Sequence, residues 1–94
     1  MSSIELDVSY RLRAGYRLQW EQAQGCTVLL YPEGMVKLND SAAAILNECC
    51  SGNASLAESI ARVSSQYQDA DIEADVLAFM AIARERLWID ARRD

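Results

Sequence analysis

The chain has 94 residues, of which 51% are hydrophobic, and a formal net charge of −5 at pH 7. This length predicts a single domain with one modest core, and the hydrophobic share excludes a disordered chain. The sequence contains no histidine, the commonest general base and metal ligand, and its acidic balance disfavours contact with nucleic-acid phosphates.

The first segment, residues 1–14, shows no clear hydrophobic period and is expected to be an N-terminal arm. Its opening letters, "MSSIELDVSY", lack the basic and apolar segments of a secretory signal. The chain has no run of about 18 apolar residues, so no membrane-spanning helix is expected. The three cysteines, an odd number, suit a reducing compartment. We therefore expect a cytoplasmic protein without a membrane partner.

Three short strands are predicted next. Tyr16, Leu18 and Trp20 alternate with polar residues, which indicates a half-buried strand. The letters "CTVLLY", residues 26–31, are apolar and rich in strand-forming types, and they predict a second, more buried strand. The turn-forming letters "PEG" then predict a hairpin to a third, antiparallel strand over residues 35–38.

Three helices are predicted after the strands. The letters "NDS", residues 39–41, supply an N-cap for the first helix, and Gly52 is expected to end it. Ser55 and Glu58 have the spacing of a capping box at the start of the second helix. The apolar faces predicted for the three helices are, in order, Ala42, Ile45, Leu46 and Cys49; Leu56, Ile60, Val63 and Tyr67; and Ile72, Val76, Phe79, Ala83 and Leu87.

This order of elements predicts an α+β fold, in which a three-stranded antiparallel sheet is followed by a three-helix bundle. Such a composition is typical of a winged helix-turn-helix. The domain is expected to span residues 15–90, with the arm before it and a polar tail, residues 91–94, after it. The arm and an exposed edge strand leave a strand-exchanged homodimer open.

Residues that carry chemistry are scarce. Four acidic residues crowd the start of the third predicted helix: Asp69, Asp71, Glu73 and Asp75. Acidic residues favour this position because of the helix dipole, and Asp69 or Asp71 would serve as its cap. Cys49 and Cys50 are adjacent rather than spaced as in a C-x-x-C site, and no histidine can activate them. The sequence therefore predicts a protein that is not an enzyme and holds no metal.

Two binding functions were compared. A DNA-binding winged helix would use its third helix, but the exposed side of that helix carries few base-reading donors and is acidic: Glu73, Ala74, Asp75, Ala78 and Glu85. A peptide-binding protein would instead add an extended peptide to the edge of the third strand. On a helical wheel Leu77 and Met80 lie to one flank of the third helix, beside Arg84. DNA binding and a thiol-based redox role remain the alternatives to peptide binding.

Three segments, "GYRLQWEQAQG", "LLYPEGMVKLNDSAAAIL" and "DVLAFMAIARERLWI", resemble the PqqD family, the peptide chaperones of pyrroloquinoline quinone (PQQ) biosynthesis. The resemblance covers residues 15–89. The letters "ECCSG", residues 48–52, depart from the pattern of the family after the first helix.

The resemblance implies a winged-helix recognition element that binds the precursor peptide PqqA and carries no cofactor. It further implies presentation of that peptide to PqqE, a radical S-adenosylmethionine (SAM) enzyme that joins a glutamate and a tyrosine of the peptide. In related recognition elements the peptide pairs with the third strand beside the third helix. Carried over by position, the peptide-binding residues are Met35, Val36, Lys37, Leu38, Leu77, Met80 and Arg84.

Overall fold

The computed structural model describes residues 4–50, 52, 54–66 and 72–92, and these contain five strands and three helices. The elements in chain order are β1 (Ser9–Leu12), β2 (Arg17–Glu21), β3 (Cys26–Tyr31), β4 (Gly34–Lys37), α1 (Asp40–Cys49), α2 (Leu56–Gln66), α3 (Ile72–Glu85) and β5 (Ile89–Arg92). The mixed α+β fold is therefore confirmed, with its three-stranded antiparallel sheet and three helices. No helix of the described ranges is long and apolar enough to cross a membrane.

The three-stranded sheet has the order β2-β3-β4, and both pairings are antiparallel. The central strand β3 holds two fully buried residues, Val28 and Leu29, as expected for its apolar letters. Tyr31 pairs with Gly34, so that Pro32 and Glu33 alone form the loop between β3 and β4. The predicted hairpin is thus confirmed, with β4 beginning one residue earlier than expected.

A second sheet pairs β1 with β5, and the sequence analysis did not predict it. The strand β1 lies in the expected N-terminal arm, and β5 runs from the end of the expected domain into the expected polar tail. Tyr10 of β1 is fully buried and Ile89 of β5 is 2% exposed, so this small sheet completes the core. Each strand has only four residues, too few to show a hydrophobic period, and their pairing joins the two ends of the chain.

The predicted start of α1 is confirmed. The side chain of Asn39 accepts a hydrogen bond of 2.7 Å from the backbone amide of Ala42, which makes it the N-cap. The apolar face expected for this helix is buried throughout. The predicted end is wrong, because α1 stops at Cys49 and Cys50 is its C-cap. The Cys50 amide bonds the Leu46 carbonyl, so the last turn closes before the end expected from the sequence.

The capping box at the start of α2 is also confirmed. The Glu58 side chain accepts from the Ser55 amide at 3.2 Å, and the Ser55 hydroxyl accepts from the Glu58 amide at 3.3 Å. The carbonyls of Val8 and Leu6 accept bonds from the next two amides of this helix start, which ties the N-terminal segment to α2. Tyr67, Asp69 and Asp71, to which we assigned roles, lie outside the described residues.

The predicted apolar face of α3 requires correction. Its buried residues are Val76, Met80 and Ala83, whereas Phe79 is only partly buried. Leu87, expected on the same face, lies beyond the end of the helix and is 57% exposed. The buried face therefore follows the spacing i, i+4, i+7 from Val76, and it differs from the predicted face in that Met80 takes the place of Phe79.

Candidate functional site

The free edge of β4 is the feature on which the predicted site depends. The backbone amide of Leu38 donates a hydrogen bond of 3.0 Å to the Thr27 carbonyl. This pair directly follows Val28 and Lys37, the last pair in the register of β3 and β4. Hydrogen-bonded pairs alternate along an antiparallel ladder. The amides and carbonyls of Gly34, Val36 and Leu38 therefore point toward β3, and those of Met35 and Lys37 point away from it.

Nothing in the described part of the chain pairs with the outer side of β4, since it is the last strand of its sheet. Two amides and two carbonyls, those of Met35 and Lys37, are consequently available for an added strand. The side chains of these two residues are also exposed, Met35 to 44%. This edge is only four residues long and can accept one short extended segment.

The other two predicted residues of this strand region contribute to the core instead. The side chain of Val36 packs against the main buried cluster, and Leu38 is 6% exposed. Their faces agree with the alternation expected from the sequence. The side chains of Val36 and Leu38 are therefore not available to a peptide at this edge. The backbone groups of their neighbours Met35 and Lys37 are.

The predicted α3 residues occupy three different environments. Leu77 is partly buried at the edge of the core, whereas Met80 is fully buried within it. The helical-wheel interpretation, which placed Met80 on an outer flank, is therefore wrong, because the buried face of α3 is rotated toward this residue. The Arg84 guanidinium carbon lies 5.7 Å from the centre of the Tyr10 ring, a cation–π distance.

The predicted peptide site has two sides, β4 and α3, and both sides contact the same hydrophobic core. Val36 from β4 and Leu77 from α3 both pack against it. In addition, α3 packs against α2 and β5, and β4 pairs with β3. A peptide groove between β4 and α3 stays a prediction.

Cys49 and Cys50 have the properties of core thiols rather than of reactive ones. Burial, with a smaller contribution from the charge of Glu48, raises the pKa of Cys49 to about 11. Burial and the neighbouring Cys49 raise the pKa of Cys50 to about 12. Both thiols are consequently protonated near pH 7, and a thiolate is the form that reacts. Nor do the described residues bring three or more metal-ligating side chains together.

Sequence reasoning missed a second surface feature, at the opposite edge of the sheet. Trp20 of β2 lies on the face predicted to be half-buried, yet it is 61% exposed. Between β2, β3 and α1 runs a groove of about 290 Å³, lined by Leu18, Gln19, Trp20, Thr27, Ala43, Ala44 and Asn47. The adjacent small residues "AA" in the first helix were the signal that this side of α1 leaves space beside the sheet.

Comparison with known proteins gives matches to one family, both for a family model and for individual relatives. The model of the family described as "Coenzyme PQQ synthesis protein D (PqqD)" matches residues 26–89. A protein of Azotobacter vinelandii named "PqqA binding protein" is 54% identical over 91 residues, which are 96% of this chain and 98% of that protein. A protein of the same name from Klebsiella pneumoniae is 48% identical over 81 residues, 85% of this chain and 87% of its own length.

A solved structure also matches over nearly the whole chain. It is the solution NMR structure of the PqqD truncation of Methylobacterium extorquens PqqCD, described as a functional, stand-alone recognition element for ribosomally synthesized and post-translationally modified peptides. The TM-score is 0.72 at 29% identity, and the match covers 97% of this chain and 96% of the other. This agreement extends the family resemblance from sequence to fold.

Proposed function

Because the chain belongs to the PqqD family of coenzyme PQQ synthesis proteins, we propose that it binds the precursor peptide PqqA in PQQ biosynthesis and catalyses no reaction itself. The names of the relatives from Azotobacter vinelandii and Klebsiella pneumoniae support this binding role. The similar solved structure from Methylobacterium extorquens, a peptide recognition element, supports it independently.

The observation that carries the proposal is the open edge of β4. The outward amides and carbonyls of Met35 and Lys37 offer the peptide two hydrogen-bonded pairs, so it adds as a fourth strand beside β4. Lys37 is exposed and has no ion-pair partner within the described residues, which suits a carboxylate of the bound peptide. Half-buried Leu77 and the guanidinium of Arg84 form the helical side of the site in this proposal.

The action of the protein is selection and delivery in the cytoplasm. It presents the bound peptide to the radical SAM enzyme PqqE, which cross-links a glutamate and a tyrosine of the peptide. The sheet and three helices serve as a winged-helix scaffold in which the sheet edge, and not the third helix, is the recognition element. In this proposal the partner enzyme performs the chemistry. This suits a chain that lacks histidine and in which the thiols of Cys49 and Cys50 are protonated near pH 7.

Nothing in the described residues favours the DNA-binding alternative. The exposed positions of α3 include Glu73, Asp75 and Glu85, which would face phosphates with the wrong charge. A peptide-binding edge needs no such basic face.

Calorimetric titration with synthetic PqqA tests the binding step. We expect a saturable 1:1 isotherm with PqqA and none with a peptide of the same composition in scrambled order. The delivery step is tested separately, by the rate at which purified PqqE cross-links the peptide with and without this chain. Absence of heat and of any other binding signal at millimolar peptide would contradict the proposal.

A further inference from the structure

Arg84 of α3 is a partly buried cation without a counter-ion. Two other arginines form ion pairs, Arg13 with Asp90 and Arg62 with Glu48. Within the part of the chain that the structure describes, Arg84 makes neither an ion pair nor a side-chain hydrogen bond. A charge that leaves water is costly unless other groups compensate it. The contacts that Arg84 does make are therefore informative.

The aromatic ring of Tyr10 is the group that receives this cation. The guanidinium carbon of Arg84 lies over the ring, 5.7 Å from its centre. Tyr10 is fully buried, and its hydroxyl accepts a hydrogen bond of 3.0 Å from the Glu5 amide. Its backbone is held by pairing with Ala91 in the β1–β5 sheet. The ring is thus a fixed platform on which the guanidinium rests.

This contact leaves the hydrogen-bond donors of Arg84 available. A cation–π attraction comes from the charge of the guanidinium and the electrons of the ring, and it uses none of the five N–H donors. Those donors fit the two oxygens of a carboxylate. Leu77 lies on the same side of α3, two helical turns before Arg84, because seven residues return nearly to the same direction. The donors therefore extend the helical side of the proposed peptide site.

We propose that Tyr10 is the positioning residue of the peptide site, holding the Arg84 guanidinium where it binds a carboxylate of the peptide. The inference rests on the proposed function. Arginine has many rotamers, and fixing one of them before the peptide arrives lowers the entropy cost of binding. The β1–β5 sheet thereby contributes to peptide affinity without contacting the peptide.

The position of Arg84 is tested first, by NMR of the protein without peptide. Protons above an aromatic ring are shifted upfield, so the Hδ and Hε signals of Arg84 should lie upfield of their ordinary values. Tyr10→Phe keeps the ring and should preserve this shift, whereas Tyr10→Leu should abolish it. Ordinary Arg84 shifts in the original chain would overturn the proposal whether or not the peptide binds.

Calorimetric titration with synthetic PqqA then tests what this position does. Tyr10→Phe should bind as tightly as the original chain, and Tyr10→Leu about threefold to tenfold more weakly. In an Arg84→Gln background, Tyr10→Leu should cause no further loss, because the ring acts through the arginine. Arg86 lies 5.6 Å from the centre of the Trp88 ring and is exposed. Arg86→Gln is therefore the matched control and should leave affinity unchanged.

A second control separates position from stability. Leu12→Ala shortens another core-packed side chain of β1 and should leave affinity unchanged. If Tyr10→Leu fails to fold by circular dichroism, fluorinated phenylalanines at position 10 keep the ring shape and weaken its attraction for a cation, and affinity should fall with each fluorine.

Two results would overturn the role of Tyr10. One is unchanged affinity when the ring is removed or fluorinated, and the other is an equal loss with and without Arg84. Absence of PqqA binding by the original chain would instead refute the proposed function, and this inference with it.

Discussion

The amide of Leu38 donates a 3.0 Å hydrogen bond to the carbonyl of Thr27. This contact fixes which residues of β4 face its partner strand, because hydrogen-bonded pairs alternate in an antiparallel ladder. Two neighbouring residues, Val36 and Lys37, consequently differ in a way that side-chain burial alone would not reveal. The Val36 amide is used inside the hairpin, and the Lys37 amide is free for a ligand strand.

The first prediction compares proline at these two positions. Lys37→Pro removes an outward donor and should leave the protein folded while weakening PqqA binding by about tenfold or more. Val36→Pro removes a donor from the β3–β4 ladder and should instead unfold or strongly destabilise the hairpin. Circular dichroism and calorimetric titration distinguish the two effects.

The matched control for the first prediction is Lys37→Ala, which removes the charge and keeps the amide. Its loss of affinity should be smaller than that of Lys37→Pro. Unchanged affinity in folded Lys37→Pro would contradict strand addition at β4.

The second prediction concerns the helical side of the site. Leu77→Asp places a charge at a half-buried position of α3 and should weaken PqqA binding in a protein that still folds. Ala78→Asp introduces the same carboxylate at the exposed neighbouring position and should leave binding intact. If Leu77→Asp abolishes the folded circular dichroism spectrum, Leu77 belongs to the core and the predicted helical wall is lost.

The third prediction uses two methionines that differ in burial. Met80 is fully buried and Met35 is 44% exposed. Met80→Ala should lower the free energy of unfolding by about 2–5 kcal/mol through lost contacts and a cavity. Met35→Ala should change it by no more than about 0.5 kcal/mol. Urea unfolding measures both, and a loss for Met80→Ala as small as the one expected for Met35→Ala would mean that Met80 is not part of the core.

The fourth prediction concerns the end of α3. Leu87 has φ +63°, its amide bonds the Arg84 carbonyl at 3.0 Å, and the Trp88 amide bonds the Ala83 carbonyl at 2.9 Å. This is a Schellman motif with leucine at the position that usually holds glycine. Leu87→Gly should therefore raise the free energy of unfolding by about 0.5–1 kcal/mol, because glycine has no Cβ penalty there.

Leu87→Ala is the control for that experiment, since it shortens the exposed side chain and retains the Cβ. It should not stabilise the protein. Thermal unfolding that shows the same shift for alanine and glycine would rule out backbone strain as the cause.

The fifth prediction follows from the raised thiol pKa values. In a Cys26→Ser background, Cys49 and Cys50 should be alkylated at pH 7 at least about a hundredfold more slowly than in the urea-unfolded chain. The rate should increase as pH rises toward 11. Since folding raises these pKa values, the stability linked to the neutral thiols is present below about pH 9 and is lost at higher pH. Rapid alkylation of the folded protein at pH 7 would contradict this account.

Features set by neighbouring residues could be predicted from the sequence. The Asn39 cap, the Ser55–Glu58 capping box and the hairpin loop depend on a few adjacent side chains, and the structure contains all three. The direction of the β4 amides also follows once the hairpin loop is known to have two residues. The outward direction of the Met35 and Lys37 amides at the β4 edge can thus be predicted from the sequence.

Features set by distant residues could not be predicted in the same way. The pairing of β1 with β5 joins the two ends of the chain, and neither four-residue strand carries its own signal. The rotation of α3 that buries Met80 depends on how this helix meets the rest of the core. Likewise, the alternation of residues in β2 does not reveal that Trp20 is 61% exposed, because exposure depends on which distant elements cover this edge of the sheet.

Backbone amide shifts of isotope-labelled protein, followed by NMR during titration with synthetic PqqA, test the central claim most directly. Strand addition at β4 predicts that the Met35 and Lys37 amides shift most, since they gain new acceptors, with smaller changes at Val36 and around Leu77 in α3. Shifts confined to β2, or to the acidic start of α3, would contradict the site even if the peptide binds.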